Sequence, residues 1–427
     1  MTLILLLLGL LALLLFMGIP VAIALALSSA CLLFVLDIPL VVAVQRMASG
    51  LNVFALMAIP LFVLSGELMN KAGIANRLLR LADAGLAKAP GGLGQVSILA
   101  SMLFGAVSGS AVASASAMGS ALGPEMRSKG YDPEFAVSVT VSSSITGLLI
   151  PPSHNMIIFA TAAGAGVSVG ELFIAGIVPG VLTGLALMLV AAVIAVKRNY
   201  PKGEFPGMSA FLMAFASAIP GLLTAVIVVG GILLGVFTPT ESAAIACAYT
   251  LVVGVVVYQS LPPAAVWSAL RASLRTTALV MFVISGAALF GWVLAVLEAP
   301  ARLATAMTPF LDNPILTILL INIILLALGT FMDMAPLILI TTPIFLPIAQ
   351  SVGMDPVQFG VMLMINLGIG LVTPPVGSVL FVGCAVQNVR VGAVLKQLWP
   401  FYLALMLALM MVSYVPAVTM LLPEMLR

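Results

Sequence analysis

Charge is what this chain has least of. Lysine, arginine, aspartate and glutamate make up 7% of its 427 residues, where a soluble domain carries about a quarter. That shortage excludes a water-soluble globule. The 16 basic and 14 acidic residues leave a net charge of +2 and are scattered, so nothing points to nucleic acid. There is a single histidine, His154, with no HExxH and no clustered carboxylates, so a catalytic metal centre has no ligand set. The three cysteines, Cys31, Cys247 and Cys384, lie far apart in apolar runs and are expected to be inert packing residues, neither ligands nor disulfide partners. A GxxxxGK[ST] phosphate loop is also missing, so the chain does not itself hydrolyse ATP.

What is present is apolar length. Hydrophobic residues reach 63%, with a mean hydropathy of +1.29, in runs long enough for helices to cross a bilayer. Short alternating strands are not seen, which excludes an outer-membrane barrel. The composition is that of an all-α polytopic protein of the inner-membrane type. The opening from Met1 to Leu36 is too long for a cleaved signal peptide and has no basic start. It reads as a first, retained span bent at Pro20.

Two stretches then stand out, Gly147-Leu-Leu-Ile150-Pro151-Pro152-Ser153 and Gly370-Leu-Val-Thr373-Pro374-Pro375-Val376-Gly377. Paired prolines remove backbone donors and clash with the preceding turn, so each segment opens there and frees carbonyls. Such carbonyls suit a small cation. A shift of 223 residues lays Pro124, Ser128, Gly130, Asp132 and Pro133 on Pro347, Ser351, Gly353, Asp355 and Pro356 without a gap. The same shift lays Gly147, Leu148, Pro151 and Pro152 on Gly370, Leu371, Pro374 and Pro375. Shared punctuation over drifting apolar filler marks a duplicated backbone path.

The segment before each copy has its own character. Gly105 to Ser120 is apolar yet dense in glycine and serine, fitting either a crossing helix with close contacts or a re-entrant hairpin opened near Ser108-Gly109-Ser110. The polar turn that returns within about one span's length favours the hairpin. Its counterpart is Leu328 to Pro336, around Asp333. The turn from Pro124 to Pro133 carries Arg127 and Lys129, whereas the turn from Pro347 to Pro356 carries no basic residue. The positive-inside rule puts the first in the cytoplasm and the second outside, which makes the repeat inverted. Lys71 to Lys88 reads as an amphipathic interfacial helix, matched by an arm over 298–312. The expected division is 1–88, 89–196, a cytoplasmic linker over 197–207, 208–312, 313–398 and a closing span over 399–427.

Few side chains could carry chemistry. Asp333 in an apolar segment is either a hairpin tip reaching water or a charge beside a bound cation. Glu67 and Glu241 sit at span ends and are expected at the interface. His154 is either a polar residue packed at a helix break or a proton relay. Arg46 is either a flanking charge or a partner for a carboxylate. Ser110, Ser114, Ser116, His154 and Asp333 supply the residue types of a triad, but the absence of a GxSxG elbow and of an acid near His154 argues against a hydrolase.

With these pieces assembled, the sequence resembles the large membrane subunit of tripartite ATP-independent periplasmic (TRAP) transporters. The resemblance rests on Ala58-Ile-Pro60-Leu-Phe with Gly66-Glu67-Leu-Met69, Pro90-Gly-Gly-Leu-Gly94, Ser108-Gly-Ser110-Ala, Lys129-Gly-Tyr-Asp132 and Ile150-Pro-Pro-Ser153. Ala175-Gly-Ile-Val-Pro179-Gly180, Thr238-Pro239-Thr240-Glu241 and Thr373-Pro-Pro-Val-Gly377 complete it. It implies a transporter, not an enzyme, that imports C4-dicarboxylates, sialic acid or similar carboxylates with two or more sodium ions and no organic cofactor. It also implies an elevator movement of a hairpin-bearing unit against a scaffold, a bacterial inner-membrane location, a small four-helix membrane partner and a periplasmic binding protein. Carried over, one sodium site comprises Ser108, Gly109, Ser110, Gly147, Ile150 and Pro152. The other comprises Gly329, Asp333, Gly370, Thr373 and Val376. The substrate carboxylate is expected between the hairpin tips, near Arg46, Ser110, Ser153, Asn155, Asp333 and Pro336, on N–H groups at half-helix ends. A stand-alone or proton-coupled carrier of the same superfamily is the alternative.

Overall fold

The computed structural model describes residues 2–86, 88–164, 166–201, 203, 205–299, 301–302, 305 and 312–426. No strand occurs among the described residues, and seven helices are long and apolar enough to span a bilayer, or eight if one bent pair counts as a span. The protein is an all-α, multi-pass membrane protein. Most of the arm expected over 298–312 lies outside the described residues, as do Lys202 and Glu204 of the linker.

The first apolar stretch is not one bent span. It forms two helices, α1 (Thr2–Phe16) and α2 (Val21–Val35), packed on each other. Gly18 takes a left-handed φ of 77° while the Ile19 amide donates to the Leu14 carbonyl, the closure that ends a helix at glycine, and Pro20 begins the next element. At 15 residues each, these helices measure about 22 Å, short of a full crossing.

Helices α3 (Val41–Leu51) and α4 (Ala58–Lys71, entered by a 3₁₀ turn over Phe54–Met57) follow, then α5 (Ile74–Leu86). Helix α5 is amphipathic as expected. It buries Ile74, Ala75, Leu78, Ala82 and Ala84 against the next helix, α6 (Gly92–Ser108), and against α12 (Met208–Leu233). Arg77 points back, donating to the Ala72 and Gly73 carbonyls with its guanidinium 3.6 Å from the centre of the Tyr258 ring.

The glycine- and serine-rich segment is a hairpin and not a crossing helix. α6 (Gly92–Ser108) and α7 (Ala111–Ser128) are separated only by Gly109, in a left-handed conformation, and Ser110, and they pack on each other. The first Pro-Pro element divides a helix, with α8 (Pro133–Ser143) and the short α9 (Thr146–Leu149) on one side and α10 (His154–Ala163) on the other, bent by 49°. α11 (Val169–Lys197) closes the first half.

The second half repeats this plan. After α12, α13 (Pro239–Val252) and α14 (Pro263–Val296) come a hairpin of α15 (Pro314–Gly329) and α16 (Met334–Ser351). A broken helix of α17 (Pro356–Leu371) and α18 (Ser378–Gln387) follows, then α19 (Val391–Tyr414) and α20 (Pro416–Leu426). Under the 223-residue shift α7 and α16 coincide end to end, and both Pro-Pro peptides are cis. Contacts repeat too: α7 lies on α18, and α16 lies on α10. α19 and α20 pack with α8, α11 and α17, while α4 packs with α13 and α14.

At the bundle end that carries Arg127 and Lys129, the recurring aspartates have parted company. Asp355 caps α17 by accepting from the Val357 amide at 2.7 Å. Asp132 is instead held by Arg198 and by the Tyr200 hydroxyl, which donates to it at 2.6 Å. Tyr131, Phe135, Tyr200 and Phe401 stack around this point, tying the start of the linker to the first broken helix. Burial, followed by the bond to Asp132, pushes the Tyr200 phenol above its ordinary range.

Candidate functional site

A cavity of about 580 Å³ lies where the two hairpin tips meet the two helix breaks. The first hairpin supplies Ser108, Ser110, Ser116 and Ser120, and the first break supplies Leu148, His154 and Asn155. The second hairpin contributes Asp333 to Ala335, and the second broken helix contributes Leu371 and Val382. The far wall is α4 and α14, through Val63, Gly66, Glu67, Asn70, Thr276 and Val280. No lysine or arginine lines it among the described residues.

The duplicated glycines explain why the breaks can sit so close to the tips. A Cβ on Gly105 would lie 2.2 Å from the Gly147 Cα, and one on Gly370 would lie 2.6 Å from the Gly329 carbonyl carbon. Each hairpin therefore crosses its broken helix backbone to backbone. At the first tip, a Cβ on Gly109 would lie 2.7 Å from the Pro152 carbonyl oxygen and 3.6 Å from the His154 nitrogen. The Ser108 and Ser153 hydroxyls beside it are buried and have no hydrogen-bond partner. At the second tip, the Val376 amide donates to the Thr330 carbonyl at 3.1 Å, and the Thr373 hydroxyl donates to the Ile369 carbonyl at 2.7 Å. The Thr373 oxygen keeps lone pairs free to accept.

Three helix N-termini face the cavity, and they are not equivalent. In α7 the Ser110 hydroxyl accepts from the Ala113 amide at 3.3 Å, and in α16 the Asp333 carboxylate accepts from the Met334 amide at 2.9 Å. α10 follows Ser153, whose side chain makes no such bond. Its first-turn N–H groups are left without a side-chain cap. N-terminal donors and the helix dipole attract anions, but at α16 a tethered carboxylate already occupies that position. An added anion is favoured at α7 and α10, and a cation beside Asp333.

Of the residues named from sequence as substrate contacts, Ser110, Asn155 and Asp333 line this cavity. Ser153 and Pro336 are buried behind its wall. Arg46 does not reach it, being exposed on α3 with its guanidinium 4.8 Å from the centre of the Trp292 ring. Asp333 sits exposed at the tip of the second hairpin, on the cavity wall.

Glu67 requires correction. It is not at an interface but in the cavity wall, four residues into an α4 stripe of Val63, Gly66, Glu67 and Asn70. That i, i+3, i+4, i+7 spacing, polar at two positions within an apolar span, is the signal that reveals it. Glu241 is a capping residue, closing a reciprocal box with Thr238 at the start of α13. All three cysteines are free; Cys247 and Cys384 are buried as expected, but Cys31 is exposed on α2 and packs nothing in. No group of three histidines, cysteines or acids able to hold a metal ion occurs among the described residues.

Paired hairpins and broken helices that converge on one cavity give the chain the frame of a membrane transporter. MtrF of Neisseria gonorrhoeae, a solved structure with 15% sequence identity, shares the fold at a TM-score of 0.59 over 88% of this chain and 83% of its own. The chain belongs to the tripartite ATP-independent periplasmic transporter DctM component family, which matches residues 8–418, and so to transport proteins rather than enzymes. It is 39% identical to the sialic acid TRAP transporter large permease protein SiaM of Vibrio cholerae over 96% of each chain. It is 37% identical to the 2,3-diketo-L-gulonate TRAP transporter large permease protein YiaN of Escherichia coli over 93% of this chain and 94% of that one.

Proposed function

We propose that this chain is the sodium-coupled carrier subunit of a system that imports a small organic acid across the bacterial inner membrane. The observation that carries the proposal is the convergence of both hairpin tips and both helix breaks on one cavity of small-molecule size. The substrates for which the two relatives are named, sialic acid and 2,3-diketo-L-gulonate, are both carboxylates.

Sodium is a co-substrate in this reading. The buried, unpartnered Ser108 hydroxyl and the Gly109 to Pro152 contact supply oxygen without charge, as a hard monovalent ion prefers. Ser110, Gly147 and Ile150 complete this first site. The second uses Gly329, Gly370, Thr373 and Val376, with Asp333 adding charge. The substrate carboxylate sits on the N–H groups of α7 and α10, away from Asp333.

Residues 1–88 and 208–312 are assigned to a framework, and 89–196 and 313–398 to a moving unit that carries the cavity, with 399–427 as its closing span. Elevator motion is supported by α10 and α16 resting on α4 and α14 while their repeat counterparts, α18 and α7, do not. A small four-helix membrane subunit and a periplasmic binding protein complete the system.

The test is uptake of labelled organic acids into proteoliposomes holding the chain and its small partner, with and without a sodium gradient and binding protein. Uptake that needs both supports the proposal. Uptake driven by a proton gradient, or indifferent to the binding protein, would replace it with the proton-coupled or stand-alone carrier and bring His154 forward.

A further inference from the structure

The first turn of α10 carries two side chains that no structural bond accounts for. Asn155 is 5% exposed, lines the cavity and has no hydrogen-bond partner; His154, beside it on the same turn, has none either. The Asn155 amide is not sealed off but opens onto the cavity, the one side from which a partner can reach it. Its neighbours give no relief, because the Ser153 hydroxyl behind it is itself unpartnered and the Gly109 tip presents backbone. The partner must come from the cavity. The same turn offers uncapped N–H groups that attract a carboxylate.

These two facts fix what lies next to the carboxylate. An acid whose carboxylate sits on the α10 amides places its second carbon one bond further out, within reach of the Asn155 amide and the His154 imidazole. Both groups can donate or accept, so the complement is an oxygen on that carbon. We infer that the cavity recognises 2-oxygenated carboxylates, the 2-hydroxy and 2-keto acids, through Asn155 and His154. The inference rests on the transport reading above and narrows it. A substrate with a plain methylene there would strand both side chains without partners, and sites built to bond a hydroxyl reject analogues lacking it by large factors.

The test uses the chain with its small subunit in lipid nanodiscs, in sodium chloride and in potassium chloride, titrated calorimetrically with matched pairs: D-lactate and propionate, L-malate and succinate, D-gluconate and 2-deoxy-D-gluconate. In every pair that binds, the 2-hydroxy member is expected to bind at least about tenfold tighter. Asn155→Ala and His154→Phe should each remove most of that preference while leaving the 2-deoxy member within about twofold. Asn155→Ser, which keeps a donor, should retain part of it. Parity within pairs, tighter binding of the 2-deoxy members, or variants that weaken both members alike would overturn the inference while leaving an acid carrier in place. No sodium-dependent binding of any acid would remove the transport reading and the inference with it.

Discussion

Replacing Gly105 by alanine probes the hairpin where it passes closest to the broken helix. The added Cβ would lie 2.2 Å from the Gly147 Cα, whereas carbon atoms rest at about 3.5 Å or more. Both sides are backbone, so no side chain can rotate away, and the two segments must separate by about 1.3 Å. Overpacking of this kind costs about 2–3 kcal/mol, against about 0.5–1 kcal/mol gained from replacing a helical glycine. The net loss is about 1–2.5 kcal/mol. A separation of that size also exceeds the few tenths of an ångström by which oxygen shells of hard cations vary, so the sodium midpoint should rise at least about tenfold. Gly291→Ala, in α14 with nothing within 4 Å of its Cβ, is the matched control and should be neutral or slightly stabilising. The assay is thermal unfolding of the purified protein in sodium chloride and in potassium chloride. Equal unfolding temperatures and equal sodium responses for the two variants would refute the backbone-contact argument.

Three further outcomes are expected. Thr373→Val keeps the shape and removes the hydroxyl at the second tip, so half-maximal sodium stabilisation should move up about tenfold; an unchanged midpoint would take Thr373 out of the site. Arg77→Ala removes a guanidinium stacked on Tyr258 and bonded to two carbonyls, with an expected loss of about 1–2 kcal/mol in denaturant unfolding; full stability in Arg77→Lys, which keeps only the charge, would refute a role for the stacking and the carbonyl bonds. Tyr200 has its folded pKa raised above the unfolded value of about 10. Its neutral form is thus favoured by folding, and that contribution is complete below pH 10 and lost as the pH climbs through the folded value. Stability measured between pH 9 and pH 11.5 should fall in the wild type, and Tyr200→Phe should flatten the fall; an unaltered slope would place the alkaline transition elsewhere.

Legibility in the sequence followed the kind of constraint at each position. The hairpins and breaks were readable because glycine and proline act on their own backbone, so Gly109, Pro152 and Pro375 announce themselves without reference to neighbours. The split between α1 and α2 was written just as locally, in Gly18 and Pro20, but a uniformly apolar run hid the two faces that distinguish a helical pair from one bent span. Glu67 was misread for a different reason. Four residues from Lys71, it resembles an interfacial charge, and only the packing of α4 against the first hairpin tip, with Gly66 facing the Ser108 carbonyl, turns it inward. Arg46 depended on Trp292, far along the chain, which no local pattern discloses.

The two halves also differ in what they have covered. α10 and α16 rest on α4 and α14, whereas on α7 and α18, their images under the repeat, Val112, Phe381 and Val386 remain open. An inverted duplication makes each of these faces a copy of the other, so a groove shaped for one is shaped for its image. Under the elevator movement proposed above, a single stretch of genetic information encodes two seats, and no dedicated hinge has to be specified. The balance between such seats would then rest on positions where the copies disagree, such as Gly164 against Gln387, whose side chain fills the space beside Gly119 and Gly123. In that proposal, drift at such positions retunes how long the protein dwells in each seat while leaving the cavity itself untouched.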